Sequence, residues 1–458
     1  MKIVIIGGSH AGIAVASKIK NLSPKTNVTI IEATDHLGFI SDTVNLMLQG
    51  LISKDNMAKG EVYTIDDIRN AGIDLRLNTS ALAINRQNKT VTIQQATQQL
   101  EDIAYDYLVL AMGSADFDKL DAIKEHPNIH LLTYKYPNET LDAYETLKKS
   151  RRIMIIGAGL IGLELANSFS ARSDQEVMII ERANYPLFRY FDQDIVEIME
   201  RHIPANFHIY TNQSFYQLEN TPDDKISLVT WDQQRITADA CVLALNPRPN
   251  TDLVKDLLDF NSDGTIKINQ YMQTSDPDIF ACGDLVRIPV IHANDSAYLP
   301  LVGNARKTGY IAAYNILYNV SKPYPPSQRT LATSLFGHLL GSTGITAEEA
   351  RFSGYDVVEI TKKYHTYAKY EADRDFYLHL KVIFDRKSRE ILGAQVITTD
   401  RAQLDLINIF SAMLYHHDLI DQLLEIDTFF DPEINPTQNA LIDVGIESLK
   451  YRDQPTRL

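Results

Sequence analysis

The sequence predicts an α/β protein, with two doubly wound parallel-sheet units followed by a C-terminal α+β unit. Three observations carry that expectation. An all-apolar run, closely spaced glycines and a helical pattern follow one another twice, from Ile3 to Gly12 and again from Ile153 to Gly162. Each copy leads into a second apolar strand that ends in glutamate. The last quarter of the chain alternates strand patterns with helical ones and holds no third copy.

The first copy reads KIVIIGGSHAGIAVASKIK. Ile3 to Ile6 is apolar throughout, as in a strand buried on both faces, and Gly7, Gly8, Ser9, His10, Ala11 and Gly12 carry the turn into the helix. The first N–H groups of a helix lack partners and bear partial positive charge, so a pyrophosphate can rest there if no side chain intervenes. Glu32 closes the strand NVTIIE twenty residues beyond Gly12, the spacing at which a carboxylate takes up an adenosine ribose. Ser9 stands where the second glycine of G-x-G-x-x-G belongs.

Farther on, Thr43 to Gly50 and Tyr63 to Ala71 are expected as helices. Asp74 to Gln94 is expected as short strands turning at Gln87 to Lys89, and Tyr107 to Ala111 as a buried strand ending in Met112, Gly113 and Ser114. The second copy, RRIMIIGAGLIGLELANSF, has the complete spacing at Gly157, Gly159 and Gly162, with Leu160 and Ile161 opening its helix. Glu181 ends the next strand nineteen residues after Gly162 and favours NADH over NADPH, since a carboxylate accepts a 2′-hydroxyl and repels a 2′-phosphate. Two such folds in one chain imply two cofactors that meet; flavin and nicotinamide exchange hydride, so one FAD and one NADH are expected. The strand CVLALN leads to Pro247 and Pro249, and DPDIFACGD delivers Gly283 and Asp284 to a ligand.

With 44 basic and 59 acidic residues the net charge is −15, which argues against nucleic acid or an anionic membrane as the main partner. No uninterrupted apolar run reaches the roughly eighteen residues of a membrane span, so a cytoplasmic protein is expected. Cys241 and Cys282 lie in apolar strand-like runs and are expected as buried reduced thiols. The proline-rich Ser321 to Gln328 marks a domain boundary. Beyond it, Phe376 to Phe384 and Glu390 to Thr398 are expected as strands, and Leu404 to Ile426 as helical. His416 and His417 lie in that helix without an i, i+4 partner, so no metal site is expected.

With these motifs on view, the chain resembles the flavoprotein disulfide reductase superfamily over nearly its full length, in the branch of NADH oxidase, NADH peroxidase and coenzyme A disulfide reductase. The matching stretches are GGSHAG, LGFISDTVNLMLQG, YDYLVLAMGS, IIGAGLIGLELA, LFRYFDQD, NPRPNT, DIFACGD, YLPLVGNARKTG, GSTGIT and FFDPEINP. The resemblance implies Rossmann-like domains: an FAD-binding domain at 1–116 and 246–330, an NAD-binding domain at 117–245, and a dimerisation domain at 331–458 that makes a homodimer. It implies FAD contacts at Gly7, Gly8, Ser9, Ala11, Gly12, Glu32, Ser41, Ala81, Ala111, Met112, Gly113, Gly283, Asp284 and Ala305. It implies NADH contacts at Gly157, Gly159, Leu160, Ile161, Gly162, Glu164 and Glu181, and puts His10 near the flavin.

The decisive departure is Asp42. The family writes Ser-Cys-Gly where this chain has Ser41, Asp42 and Thr43, so the redox cysteine is missing, and a carboxylate cannot form a sulfenic acid or open a disulfide. Leu160 replaces a tyrosine that covers the flavin, Met112 and Asn246 replace a threonine and a glycine, and Asn435-Pro436-Thr437 stands near a family His-Pro-Thr. The expected function is therefore an NADH oxidase that passes electrons from the flavin to molecular oxygen and releases hydrogen peroxide, with His10 and Asp42 as catalytic residues. Two alternatives remain open, an NADH dehydrogenase serving a quinone or other small acceptor, and a non-catalytic FAD- and NADH-binding protein. Asp42 either stands as an anion that lowers the flavin potential, is held protonated by burial, or pairs with a protonated His10.

Overall fold

The computed structural model describes residues 1–40, 42–60, 64–115, 131–223, 225–231, 233–245, 248–365, 377–429 and 439–452. Two five-stranded parallel sheets and one five-stranded antiparallel sheet organise them. In the first sheet, the strand Lys2–Ile6 lies between Asn27–Ile31 and Tyr107–Leu110, with Asp74–Arg76 and Ile279–Ala281 at the edges. The second repeats that order, with Arg152–Ile156 between Glu176–Ile180 and Ala240–Leu243 and with Phe207–Tyr210 and Leu131–Leu132 at the edges.

Each unit also interposes a three-stranded antiparallel sheet before its fourth strand: Thr79–Asn85, Thr90–Gln95 and Leu100–Ala104 in one, Phe215–Asn220, Ile226–Thr230 and Arg235–Ala238 in the other. The units differ in where the edge strand beside the fourth comes from. The first takes it from far downstream, at Ile279–Ala281, and the second from just upstream, at Leu131–Leu132. One unit is thus threaded into the other.

Physical chemistry fixes these central strands. Ile3, Val4, Ile5, Ile153, Met154 and Ile155 are almost wholly buried, as helices and sheets on both faces require, and each such side chain contributes about 1.5–3 kcal/mol. The helix His10–Leu22 follows the first strand and packs on Val302–Leu317, where Gly309 sits so close to the Ala11 carbonyl oxygen that an added Cβ would lie 2.6 Å from it.

The third sheet runs Leu331–Leu335, His338–Gly344, Ile391–Thr398, Tyr377–Asp385 and Val357–His365. Its residues Leu335, Phe336, Leu340 and Ile397 share one core with Val44, Leu48, Ile153 and Leu163, so the C-terminal sheet and the second parallel unit are packed as one body. The proline-rich segment is tied down on the first unit rather than free. Tyr324 is buried and its N–H donates to the Gln270 carbonyl at 2.7 Å, while the Ser327 N–H donates to Pro289.

The long helix expected from Leu404 to Ile426 is instead three pieces, the helices Arg401–Leu404 and Leu406–Tyr415 and a 3-10 turn at Ile420–Leu424. The break has a defined cause. His417 takes a left-handed backbone at φ 57°, its N–H donates to Leu414 and that of Asp418 to Met413, which together form a Schellman stop. His416 and His417 accordingly lie past the helix end and not within it.

Candidate active site

The two glycine turns close in the same way. Gly7 and Gly157 have φ of 109° and 110°, and beyond them Gly12 and Gly162 bring each helix so near the turn that an added Cβ would lie 1.9 Å from the carbonyl oxygen of Gly7 or Gly157. Ser9 and Gly159 stand at the N-caps with no side-chain capping bond, and neither first helical turn contains an acid. The N–H groups that would meet an anion are therefore left to it.

Glu32 and Glu181 are held alike. The Gly8 N–H donates to Glu32 Oε2 at 2.7 Å and the Thr34 N–H to Oε1 at 2.9 Å; the Ala158 N–H donates to Glu181 Oε2 at 2.8 Å and the Ala183 N–H to Oε1 at 2.7 Å. Each carboxylate is thus oriented over its own turn, as a group that recognises a ribose beside a pyrophosphate requires. A Cβ added at Gly113 or Gly159 would meet no atom of the described residues within 4 Å, so the backbone there has room for a close-lying ligand. The residues present fit two dinucleotides.

Around the first turn, Ala111 is buried and its N–H donates to Ile6. Met112 is half-buried, and Ala81 lies on the strand that the Thr79 N–H ties to the Glu32 carbonyl. Gly283, at φ 69°, approaches Ala11 and donates its N–H to Thr308 Oγ1 at 2.9 Å. Asp284 follows; burial raises its carboxyl and the Lys135 ammonium opposes that rise. Ala305, buried on Val302–Leu317, completes the wall. Leu160 is partly buried against the second core, and Ile161 is exposed. Ser41 lies outside the described residues, as do Asn246, Pro247 and Asn435 to Thr437.

Asp42 precedes the short helix Thr43–Leu48, which packs across to the second unit: the Arg172 guanidinium donates to the Leu48 carbonyl at 2.8 Å and the Gln49 amide to Ser168 Oγ. The Asp42 residue is exposed to solvent, with protein close around its carboxyl. The surrounding protein raises it, and the Asn45 amide, donating to Oδ1 at 3.1 Å, works the other way.

Asp42 does not pair with His10. Burial and then the Arg306 charge lower His10, leaving its ring neutral at pH 7, and Asp42 is not among the groups acting on it. The electrostatic neighbours of Asp42 are instead Glu164 and Tyr134. Burial and the Asp42 charge push Glu164 up to about 7, against a hydrogen bond of 2.6 Å from Thr333 Oγ1 to Glu164 Oε1. Tyr134 is 7% exposed, its hydroxyl has no hydrogen-bond partner among the described residues, and burial followed by Asp42 and Glu164 raises it far above an ordinary phenol.

Tyr134 and Thr333 carry no sequence signal of this role, because one lies in an unpatterned connection and the other in the C-terminal sheet. The Glu164 shift has a measurable consequence. Because its folded value of about 7 lies above the model-peptide 4.5, the stability that Glu164 contributes is full below pH 4.5 and is lost as pH rises through 7. Glu164→Gln is expected to remove that fall, on the order of 3 kcal/mol between pH 4.5 and 8. Urea midpoints of both proteins at several pH values check it, and equal slopes would refute the shift.

Among known families, residues 1–309 match the one described as pyridine nucleotide-disulphide oxidoreductase. The chain belongs to that family. Residues 332–438 match the dimerisation domain of the pyridine nucleotide-disulphide oxidoreductases. Among relatives of this oxidoreductase chain, an NADH oxidase of Enterococcus faecalis is 29% identical over 450 residues, covering 96% of this chain and 98% of that one. An NAD(P)H coenzyme A polysulfide/persulfide reductase of Pyrococcus horikoshii is 28% identical over 447 residues, with 96% and 97% covered. The solved water-forming NADH oxidase from Lactobacillus brevis, bound to NADH, superposes with a TM-score of 0.88 at 25% identity over 98% of each chain. No helix among the described residues is long and apolar enough to cross a membrane.

Proposed function

We propose that this chain is an FAD-dependent NADH oxidase that reduces oxygen to hydrogen peroxide without a thiol step, acting as a cytoplasmic homodimer. The supporting observation is the absence of a usable sulfur. Both cysteines are fully buried, burial pushes each thiol up to about 12, and the position the family gives to its redox cysteine is Asp42. A buried neutral thiol is not a nucleophile at pH 7. The family route that turns peroxide into water therefore has no thiolate to use.

In this reading FAD lies on the first clasp, at Gly7, Gly12 and Glu32, with Gly113, Gly283 and Asp284 alongside, and NADH lies on the second, at Gly157, Gly159, Gly162 and Glu181. The domain limits follow as 1–116 with 246–330 for FAD, 117–245 for NAD and 331–458 for dimerisation. When bound, the two cofactors supply hydride transfer and electron delivery to oxygen. The chain's part is to orient them and to manage protons. Glu164 Oε1 accepts the Thr333 hydroxyl, which leaves Oε2 to carry a proton near neutral pH. The protein around Asp42 raises its carboxyl beside Glu164, and His10, lowered by burial and by Arg306, offers a hydrogen bond at the start of the first helix without adding charge.

The test is the ratio of peroxide released to NADH consumed in air. It is expected near one to one, and oxygen uptake without peroxide would overturn the proposal. Anaerobic addition of NADH is expected to bleach the flavin; a flavin that stays oxidised would make the chain a binding protein and no oxidase.

A further inference from the structure

Apart from the residues of both glycine clasps, the fold gathers His292, Glu390 and His417, whose ligating atoms all lie within 4.8 Å of one another. They come from three separate segments: the loop after the strand Ile288–Pro289, the turn before the strand Ile391–Thr398, and the Schellman stop after the helix Leu406–Tyr415. The His292 side chain is 4% exposed, its Nε2 has no hydrogen-bond partner among the described residues, and that atom faces Glu390 Oε1 at 3.7 Å. A buried imidazole nitrogen that faces a carboxylate presents its lone pair to a cation, as metal-ligating histidines do.

We propose that His292 Nε2, Glu390 and His417 Nδ1 bind one divalent cation of the imidazole-preferring class, represented by Zn²⁺, as a staple between the loop after Pro289 and the C-terminal sheet. A tetrahedral zinc with bonds of about 2.0–2.1 Å sets its donors about 3.3 Å apart. The two separations here, 2.6 Å from His417 Nδ1 to Glu390 Oε1 and 3.7 Å from His292 Nε2 to the same oxygen, straddle that value, so small side-chain rotations admit the ion. His417 gives up its hydrogen bond and carries its proton on Nε2. Its ring is 63% exposed, which leaves the fourth position to water. Two nitrogens and one oxygen suit Zn²⁺, whereas Mg²⁺ and Ca²⁺ select oxygen donors. His417 holds a left-handed backbone position that favours glycine, and His292 also has a positive φ, of 60°. Both are conformations that a side chain tolerates where it is needed.

The proposal is tested on chelator-treated, dialysed holoenzyme titrated with Zn²⁺ against a chromophoric chelator, with Mg²⁺ in parallel. One Zn²⁺ per chain is expected, with no competition from Mg²⁺. His417→Ala and Glu390→Gln, both changed at accessible side chains, are expected to weaken Zn²⁺ binding roughly tenfold or more. His416→Ala, at the exposed neighbouring imidazole, is expected to leave it unchanged. No saturable binding, or an affinity that His417→Ala leaves intact, would overturn the site. An affinity lost only with His416→Ala would also overturn it and would mark an adventitious surface histidine.

Discussion

Gly12→Ala is expected to yield a folded protein that purifies without flavin, while Gly162→Ala keeps its flavin and no longer bleaches with NADH. Both follow from the same contact. A methyl group at either position would lie 1.9 Å from a backbone carbonyl oxygen, that of Gly7 in the first clasp and of Gly157 in the second. No rotamer change relieves a clash between a Cβ and a main-chain oxygen, so the helix must move away from the turn. Its unpaired N–H groups then lose their aim at a pyrophosphate, and anion binding at a helix start falls off within the first turn. The carboxylates move with the turns, because Glu32 is bonded to the Gly8 N–H and Glu181 to the Ala158 N–H. A loss of more than about tenfold in each affinity, or about 1.4 kcal/mol, is expected. Flavin-to-protein absorbance and NADH titration under nitrogen read the two effects separately. If Gly162→Ala lost the flavin and Gly12→Ala kept it, the cofactors would be assigned to the wrong clasps.

The asymmetry between what the sequence announces and what it conceals follows from the range of the interactions. Gly7 to Glu32 and Gly157 to Glu181 are legible because strand, turn, helix and terminal acid are neighbours in the chain, and each constrains the next over a few residues. The environment of Asp42 is not, because Tyr134 lies just past the strand Leu131–Leu132, Glu164 lies on the helix Leu160–Asn167, and Thr333, which bonds Glu164, lies on the C-terminal strand Leu331–Leu335. A pairing of Asp42 with His10 was plausible only from their shared nearness to the first turn, and Arg306, nearly three hundred residues away in the chain, replaces it as the charge that acts on His10. His417 misleads in the opposite direction. Helical spacing finds it no partner, because Glu390 and His292 approach it through the tertiary fold.

Lys381→Met is expected to destabilise the protein by about 3 kcal/mol at pH 8, at the low end of the range for breaking a buried ion pair. Lys381 lies on the strand Tyr377–Asp385 of the C-terminal sheet and is only 2% exposed. Its ammonium reaches Asp192 at 3.2 Å, Asp194 at 2.7 Å and Glu359 at 2.7 Å. Burial disfavours that charge, but the three carboxylates outweigh it and hold the lysine above its ordinary value. A raised lysine contributes stability that is present throughout the neutral range and is lost only as pH climbs through its folded value. Methionine fills the space and removes the charge, which leaves Asp192 to the Gln395 amide and the Ala347 N–H while its charge stays in the protein interior. Asp194 is half exposed and Glu359 keeps Arg351, so they lose less, which places the expected cost at the low end. The penalty belongs to unpaired carboxylates, and burial raises Asp192, so the penalty is expected to shrink as pH falls and that carboxylate takes up a proton. Lys381→Met combined with Asp192→Asn is expected to recover a large part of the loss. Urea midpoints at pH 8 and pH 5 for the single and double variants decide the matter. A cost below about 1 kcal/mol, or one independent of pH, would mean that solvent already screens the cluster and that hydrogen bonds and packing hold Asp192 to the C-terminal sheet without the lysine.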